Sequence, residues 1–182
     1  MRLRLIVFAL LAAASVSAAA DSVDINLSSD TIEARYNSSV GVGEWTFGGL
    51  YNRDEKNRAV NVGLLGTGET RAKGSRVEGG LGGKLYVATV DSQELAALGL
   101  GGQLRWFFGD GPFAVSGYLF YAPRVVTFLD GKHFWDVGVR AELELIKGNF
   151  LYVGVRQVRA EYDNNGRFDL DKGGFAGMQI KF

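Results

Sequence analysis

The strict alternation of apolar and polar residues at the end of the chain constrains its fold more than any other feature. Apolar residues occupy every second position there, at Ala176, Met178, Ile180 and Phe182. Successive side chains of a β-strand point to opposite faces, so this pattern predicts a strand with one apolar face. In water that face would be an aggregation-prone edge, whereas a closed barrel in a bilayer accommodates it. We therefore expect a transmembrane antiparallel β-barrel.

The same alternation recurs along the chain, most clearly between Phe134 and Ile146. Ten strands are predicted: Val23–Leu27, Thr31–Asn37, Glu44–Asn52, Ala59–Leu65, Arg76–Ala88, Leu95–Phe108, Phe113–Arg124, Phe134–Ile146, Phe150–Tyr162 and Gly174–Phe182. The first two are short for a membrane crossing, so eight strands with an extra hairpin is the alternative to ten. Gly66–Ser75 and Val126–His133 are predicted to be loops. The expected fold class is all-β, an up-and-down barrel of about 8–10 strands.

Aromatic residues near the strand ends favour this barrel over a soluble β-sandwich. Ten are expected to form the interfacial girdles of a membrane barrel: Trp45, Phe47, Tyr51, Trp106, Phe108, Phe113, Tyr121, Phe134, Trp135 and Tyr162. With an even strand number, both ends of the mature chain would lie on the periplasmic side.

The first twenty residues are typical of a secretory signal peptide. Arg2 and Arg4 precede an apolar stretch, and Ala18 and Ala20 form a small-residue cleavage site. We expect cleavage of residues 1–20 and a single barrel domain over residues 21–182. The chain has no cysteine, which excludes disulfides. Its 20 Lys and Arg residues balance 20 Asp and Glu residues, so the sequence lacks the excess of basic residues typical of nucleic-acid binding.

Charged residues of both signs lie on the face opposite the apolar one and are expected to form a network in the lumen. They are Glu78, Lys84, Arg105, Arg140, Glu142, Glu144 and Arg156. A salt-bridged plug and an ion-selective constriction both fit such a set. Their near-equal signs favour the plug, hence a barrel with a structural or interaction role. A narrow, porin-like channel for ions or small solutes is the alternative.

Two Gly-rich segments, 80–85 and 99–104, have nearly the same sequence and are expected to pair in one hairpin. Their glycines Gly80, Gly82, Gly99 and Gly101 would then form a patch facing the lumen. Curvature of the wall is one interpretation, and room for inward Phe150 and Tyr152 is another. A small ligand cavity is the third.

An enzymatic role is the least favoured interpretation. His133 is the only histidine, Ser116 on the Phe113–Arg124 strand is the nearest candidate nucleophile, and no set of Ser, His and acid can be assembled from them. One histidine without cysteine also offers few metal ligands. We expect no catalytic residues, no metal and no cofactor. A lipid-modifying enzyme that uses His133 is the least favoured alternative.

The leader, the opening strand Val23–Leu27, the Gly-rich middle and the ending Gly174–Phe182 resemble the YfaZ-like family of small bacterial outer-membrane proteins. The resemblance implies a barrel in the outer membrane of a Gram-negative cell envelope and implies no activity. The ending with Ala176, Met178, Ile180 and Phe182 also resembles the C-terminal sorting signal of such barrels. The expected partners are therefore outer-membrane lipid, lipopolysaccharide and, through the last strand, the outer-membrane assembly machinery. We expect a monomer that binds no nucleic acid.

Overall fold

Each alternating run of the sequence becomes a strand of one antiparallel sheet that closes on itself. The computed structural model describes residues 21–54, 56–72, 74–90, 93–129, 131–162 and 166–182, so the predicted signal peptide lies outside the described residues. The strands are β1 Ser22–Leu27, β2 Thr31–Val40, β3 Gly43–Asn52, β4 Arg58–Ala72, β5 Ser75–Val90, β6 Gln93–Phe107, β7 Phe113–Ala122, β8 Thr127–Leu129, β9 Gly131–Ile146, β10 Asn149–Tyr162 and β11 Arg167–Lys181. One turn of 3-10 helix, Arg124–Val126, separates β7 from β8.

Pairing between the first and last strands closes the barrel. β1 pairs with β2 on one side and with β11 on the other, and β5 pairs with β6 to complete the circle. β7 and β8 both pair with β6, so together they fill one position in the wall. The barrel therefore has ten strand positions, and the short β1 is one of them rather than part of an extra hairpin.

Two predicted loops are wrong, and for different reasons. Residues 66–72 continue β4, which pairs with β5 as far as Ala72 and Ser75, although β3 stops pairing at Gly66. This hairpin carries polar residues on both faces because it projects past β3 into solvent, so the sequence shows no alternation there. Within 126–133, Thr127 donates hydrogen bonds to the carbonyls of Ala122 and Pro123, which turns the chain back onto β6 as β8.

The glycine patch curves the wall. Gly82 and Gly101 lie opposite each other on β5 and β6. A Cβ atom at Gly82 would lie 2.1 Å from the carbonyl oxygen of Leu64, and one at Gly101 would lie 1.9 Å from that of Leu119. No side chain fits between such closely approaching backbones, so these glycines permit the curvature of this wall.

The patch also makes room for large inward side chains, but these are Tyr86 and Phe120 instead of Phe150 and Tyr152. A Cβ atom at Gly99 would instead meet Tyr86 at 3.0 Å and Phe120 at 3.4 Å, while one at Gly80 would meet Thr67 at 3.3 Å. The Tyr152 ring lies against Gly177, on the neighbouring β11. The patch is on the opposite wall, and the sequence could not show which walls face each other.

Candidate functional site

The outer surface of the barrel carries an apolar belt. On β10 it consists of Leu151, Val153 and Val155, of which Val153 is 62% exposed. Gln157 and Arg159 follow on the same face, so the belt ends there. Arg159 donates hydrogen bonds to Asp169 just beyond the belt, and these bonds lower the pKa of that carboxyl below its ordinary value.

Aromatic side chains border the belt at both ends of the barrel. We call the end that carries Asp21 and Lys181 the terminal end, and the opposite end the loop end. Outward-facing aromatics near the terminal end are Trp45, Phe47, Trp106, Phe108 and Phe113, and those near the loop end are Tyr51, Tyr121 and Trp135. The prediction is wrong for Phe134 and Tyr162, which are buried inside the barrel.

The lumen contains a buried ion-pair network, whose first part centres on Arg156. This guanidinium has a side chain only 1% exposed and contacts the carboxylates of Glu33 and Asp171. Arg35 binds Glu33 as well, with its Nε 2.6 Å from Oε1. Four charges from β2, β10 and β11 thus neutralise one another in the middle of the lumen.

The second part of the network centres on Glu142. The Nε atoms of Arg105 and Arg140 lie 2.6 Å and 2.5 Å from its carboxylate oxygens, and Ser116 donates a hydrogen bond to it. Arg140 also lies 3.4 Å from Asp24, which accepts a hydrogen bond from Tyr152. This part crosses the lumen from β6 to β1.

The seven predicted lumen residues therefore have different environments. Arg105, Arg140, Glu142 and Arg156 belong to the central network. Glu78 and Glu144 lie nearer the terminal end, where Arg76 contacts them at 3.4 Å and 3.7 Å, and Glu78 also joins the central network through Arg105 at 3.4 Å. Lys84 faces the lumen without an ion pair to any described carboxylate. The network's further members Asp24, Glu33, Arg35 and Asp171 were missed, although alternation along the first two strands marks the positions of the first three.

An apolar cluster closes the lumen at the loop end. Its large side chains come from strands all around the wall and are Leu50, Leu65, Tyr86, Leu95, Phe120, Phe134, Val158, Tyr162 and Leu170. Leu95, Phe134 and Leu170 are completely buried. Apart from Leu65, which also lines the cavity described next, these side chains pack the part of the lumen beyond the charged network.

A cavity occupies the other half of the lumen. It has a volume of about 360 Å³ and reaches from Lys84 in the middle of the barrel to Glu69 and Lys181 at the terminal end. The apolar cluster packs the loop end, and the described residues that line this cavity extend from the middle of the barrel toward the chain termini.

The residues weighed for catalysis and metal binding lie apart. Ser116 faces the lumen, whereas His133 stacks on Tyr121, with its Nδ1 3.1 Å from the tyrosine hydroxyl. Seven residue steps along the strand, about 23 Å, separate Ser116 from the level of His133. Among the described residues, no three His, Asp or Glu side chains gather closely enough to hold a metal ion. Within the same residues, no helix is long and apolar enough to cross a membrane.

A family model described as YfaZ precursor matches residues 1–182, the whole chain. No curated protein matches it.

Proposed function

This chain belongs to the YfaZ family, and from that membership and the geometry of the barrel we propose that it spans the outer membrane of a Gram-negative cell as a closed, non-enzymatic barrel. In this proposal its wall contacts lipid, its loops contact lipopolysaccharide or a partner, and its lumen does not conduct. The observation that carries the proposal is the inversion of the usual polarity, since the outer face is apolar and the interior holds buried ion pairs.

The height of the belt supports membrane insertion. On β9 the outward apolar face runs from Trp135 to Leu145. Ten residue steps measure about 33 Å along a strand. At the tilt of about 40° usual for membrane barrels, this corresponds to a height of about 25 Å, which matches the apolar band of such barrels.

The filled lumen supports a role without conduction. A pore needs a continuous polar path, whereas the apolar cluster occupies the loop end and the central charges bind one another. Charges that are neutralised in pairs also leave little net field to select an ion. These features favour a structural or interaction role over the narrow channel.

The charges at the loop end suit contact with lipopolysaccharide. Exposed basic residues at this end are Arg53, Lys56, Arg58, Arg124 and Arg167. Arginine and lysine bind phosphate through charge-assisted hydrogen bonds. Since every strand position in the wall is paired on both sides, the proposal also expects a monomer, because no free edge invites a second copy.

Planar-bilayer recording tests the closed lumen. We expect the refolded mature protein to give no discrete current steps. Folding is verified beforehand by the different migration of unboiled and boiled protein on a denaturing gel. Discrete steps whose size changes in Arg140→Ala would contradict the proposal and establish a pore filtered by the lumen charges.

A further inference from the structure

The cavity contains a buried cation that makes no ion pair with any described carboxylate, although Asp136, Glu33 and Glu44 act on it from a greater distance. Lys84 is 3% exposed, and among the described carboxylates none lies within 4.0 Å of its Nζ. The Nζ atom lies 4.2 Å from the ring centroid of Phe120, a cation–π contact that offsets only part of the cost of removing the charge from water. A partner that carries negative charge would offset the remainder.

A carboxylate in the same cavity also lacks an ion pair. Glu44 lines the pocket and accepts a hydrogen bond of 3.2 Å from Gln103 Nε2. Within the described part of the chain, no Lys or Arg lies within 4.0 Å of it. By contrast, Arg105 and Arg140 in the pocket wall are bound to Glu142. In the interior of the cavity, the ammonium of Lys84 and the carboxylate of Glu44 are therefore held apart instead of being paired.

Two hydroxyl groups with unused hydrogen bonds lie in the same wall. Thr46 Oγ1 and Tyr118 OH are buried and have no hydrogen-bond partner among the described residues. Thr46 lies at the level of Lys84, because both strands place these residues opposite Gly63 of β4. Glu44 comes one inward-facing position closer to the mouth. Donors for an anionic group are thus deep in the cavity, and an acceptor for a cationic group is nearer its opening.

We propose that this cavity binds a small zwitterionic solute that carries one carboxylate and one amine. Lys84 binds the carboxylate of the solute, the hydroxyls of Thr46 and Tyr118 donate to it, and Glu44 binds the ammonium group. The volume of about 360 Å³ falls within the range of about 300–1,000 Å³ typical of small-molecule sites. The solute enters from the terminal end, and binding requires no passage through the barrel.

Calorimetric titration of the refolded protein in detergent micelles with three matched compounds tests the proposal. Glycylglycine carries both charges, N-acetylglycine only the negative one, and glycinamide only the positive one. We expect glycylglycine to bind about tenfold more tightly than N-acetylglycine, as the loss of one charged contact implies, and glycinamide to bind least.

Substitutions identify the residues that bind each charge. Lys84→Met is expected to abolish binding of glycylglycine and N-acetylglycine, whereas Glu44→Gln reduces the affinity for glycylglycine to that for N-acetylglycine. Lys147→Met, at an exposed turn outside the cavity, is the matched control and leaves both affinities unchanged. Lys84→Met also removes an unpaired buried charge, so it is expected to unfold at a higher urea concentration than the wild type.

Three results would overturn the proposal. The first is the absence of binding heat from all three compounds, which would mean that the cavity holds water only. The second is equal affinity for all three compounds. The third is binding of glycylglycine that persists in Lys84→Met. These titrations need only the folded barrel. A channel detected in bilayers would therefore refute the closed lumen without deciding whether the cavity binds a zwitterion.

Discussion

Replacing Arg156 by alanine is expected to lower the free energy of unfolding of the barrel by about 3–5 kcal/mol. The guanidinium lies between Glu33 and Asp171, whose side chains are 5% and 7% exposed. Its removal leaves Asp171 in the lumen without a counter-charge and Glu33 with Arg35 alone, and buried unpaired charges are costly. Urea unfolding followed by tryptophan fluorescence measures the loss.

Two variants separate this effect from a general loss of charge or packing. Arg159→Ala breaks the ion pair with Asp169 on the outer, solvated face and should have little effect. The double variant Arg156→Met and Asp171→Asn removes the guanidinium together with Asp171, leaves Glu33 paired with Arg35, and should regain most of the stability lost in Arg156→Ala. Equal losses in Arg156→Ala and Arg159→Ala would refute a stabilising network in the lumen.

Placing arginine in the middle of the belt, as Val153→Arg, is expected to cost about 2–4 kcal/mol in the unfolding of vesicle-inserted protein. Val153 lies on the outer face opposite Ala141 of β9 and Ala176 of β11, within the apolar belt. A guanidinium there must enter hydrocarbon or deform the bilayer around it. On a surface facing water, the same change would alter stability by at most about 0.5 kcal/mol.

Thr70→Arg is the matched control for Val153→Arg. Thr70 is exposed on the part of the β4–β5 hairpin that projects past β3, outside the belt. Arginine there should leave the urea transition in vesicles unchanged. If Val153→Arg shifts the urea transition as little as Thr70→Arg does, the belt faces water.

Local pattern predicted the faces of the strands because alternation is a property of each strand alone. On β9 it correctly placed Arg140 and Glu142 inside and Val139 outside. It failed where neither face is distinctive, as in residues 66–72. It also placed Phe134 and Tyr162 in the girdles, because an aromatic residue near a strand end looks the same whether it faces lipid or the closing cluster.

The arrangement of the lumen depends on distant parts of the chain. Arg156 contacts Glu33 across 123 residues of sequence, and this contact depends on how far the strands are staggered around the closed barrel. The sequence therefore predicted that charges point inward, without showing which of them pair. For the same reason it predicted Lys84 as a member of the network, whereas in the structure Lys84 lies beside a cavity with Glu44 as the second unpaired charge.

Quenching of tryptophan fluorescence by brominated lipids tests the membrane-spanning barrel most directly. Trp45, Trp106 and Trp135 all face outward at the borders of the belt, where tryptophan lies at the lipid headgroup level. In vesicles, we expect strong quenching by bromine close to the headgroup and weaker quenching by bromine near the end of the acyl chain. Fluorescence that is identical in brominated and unbrominated vesicles would contradict the account, because the belt would then lie in water.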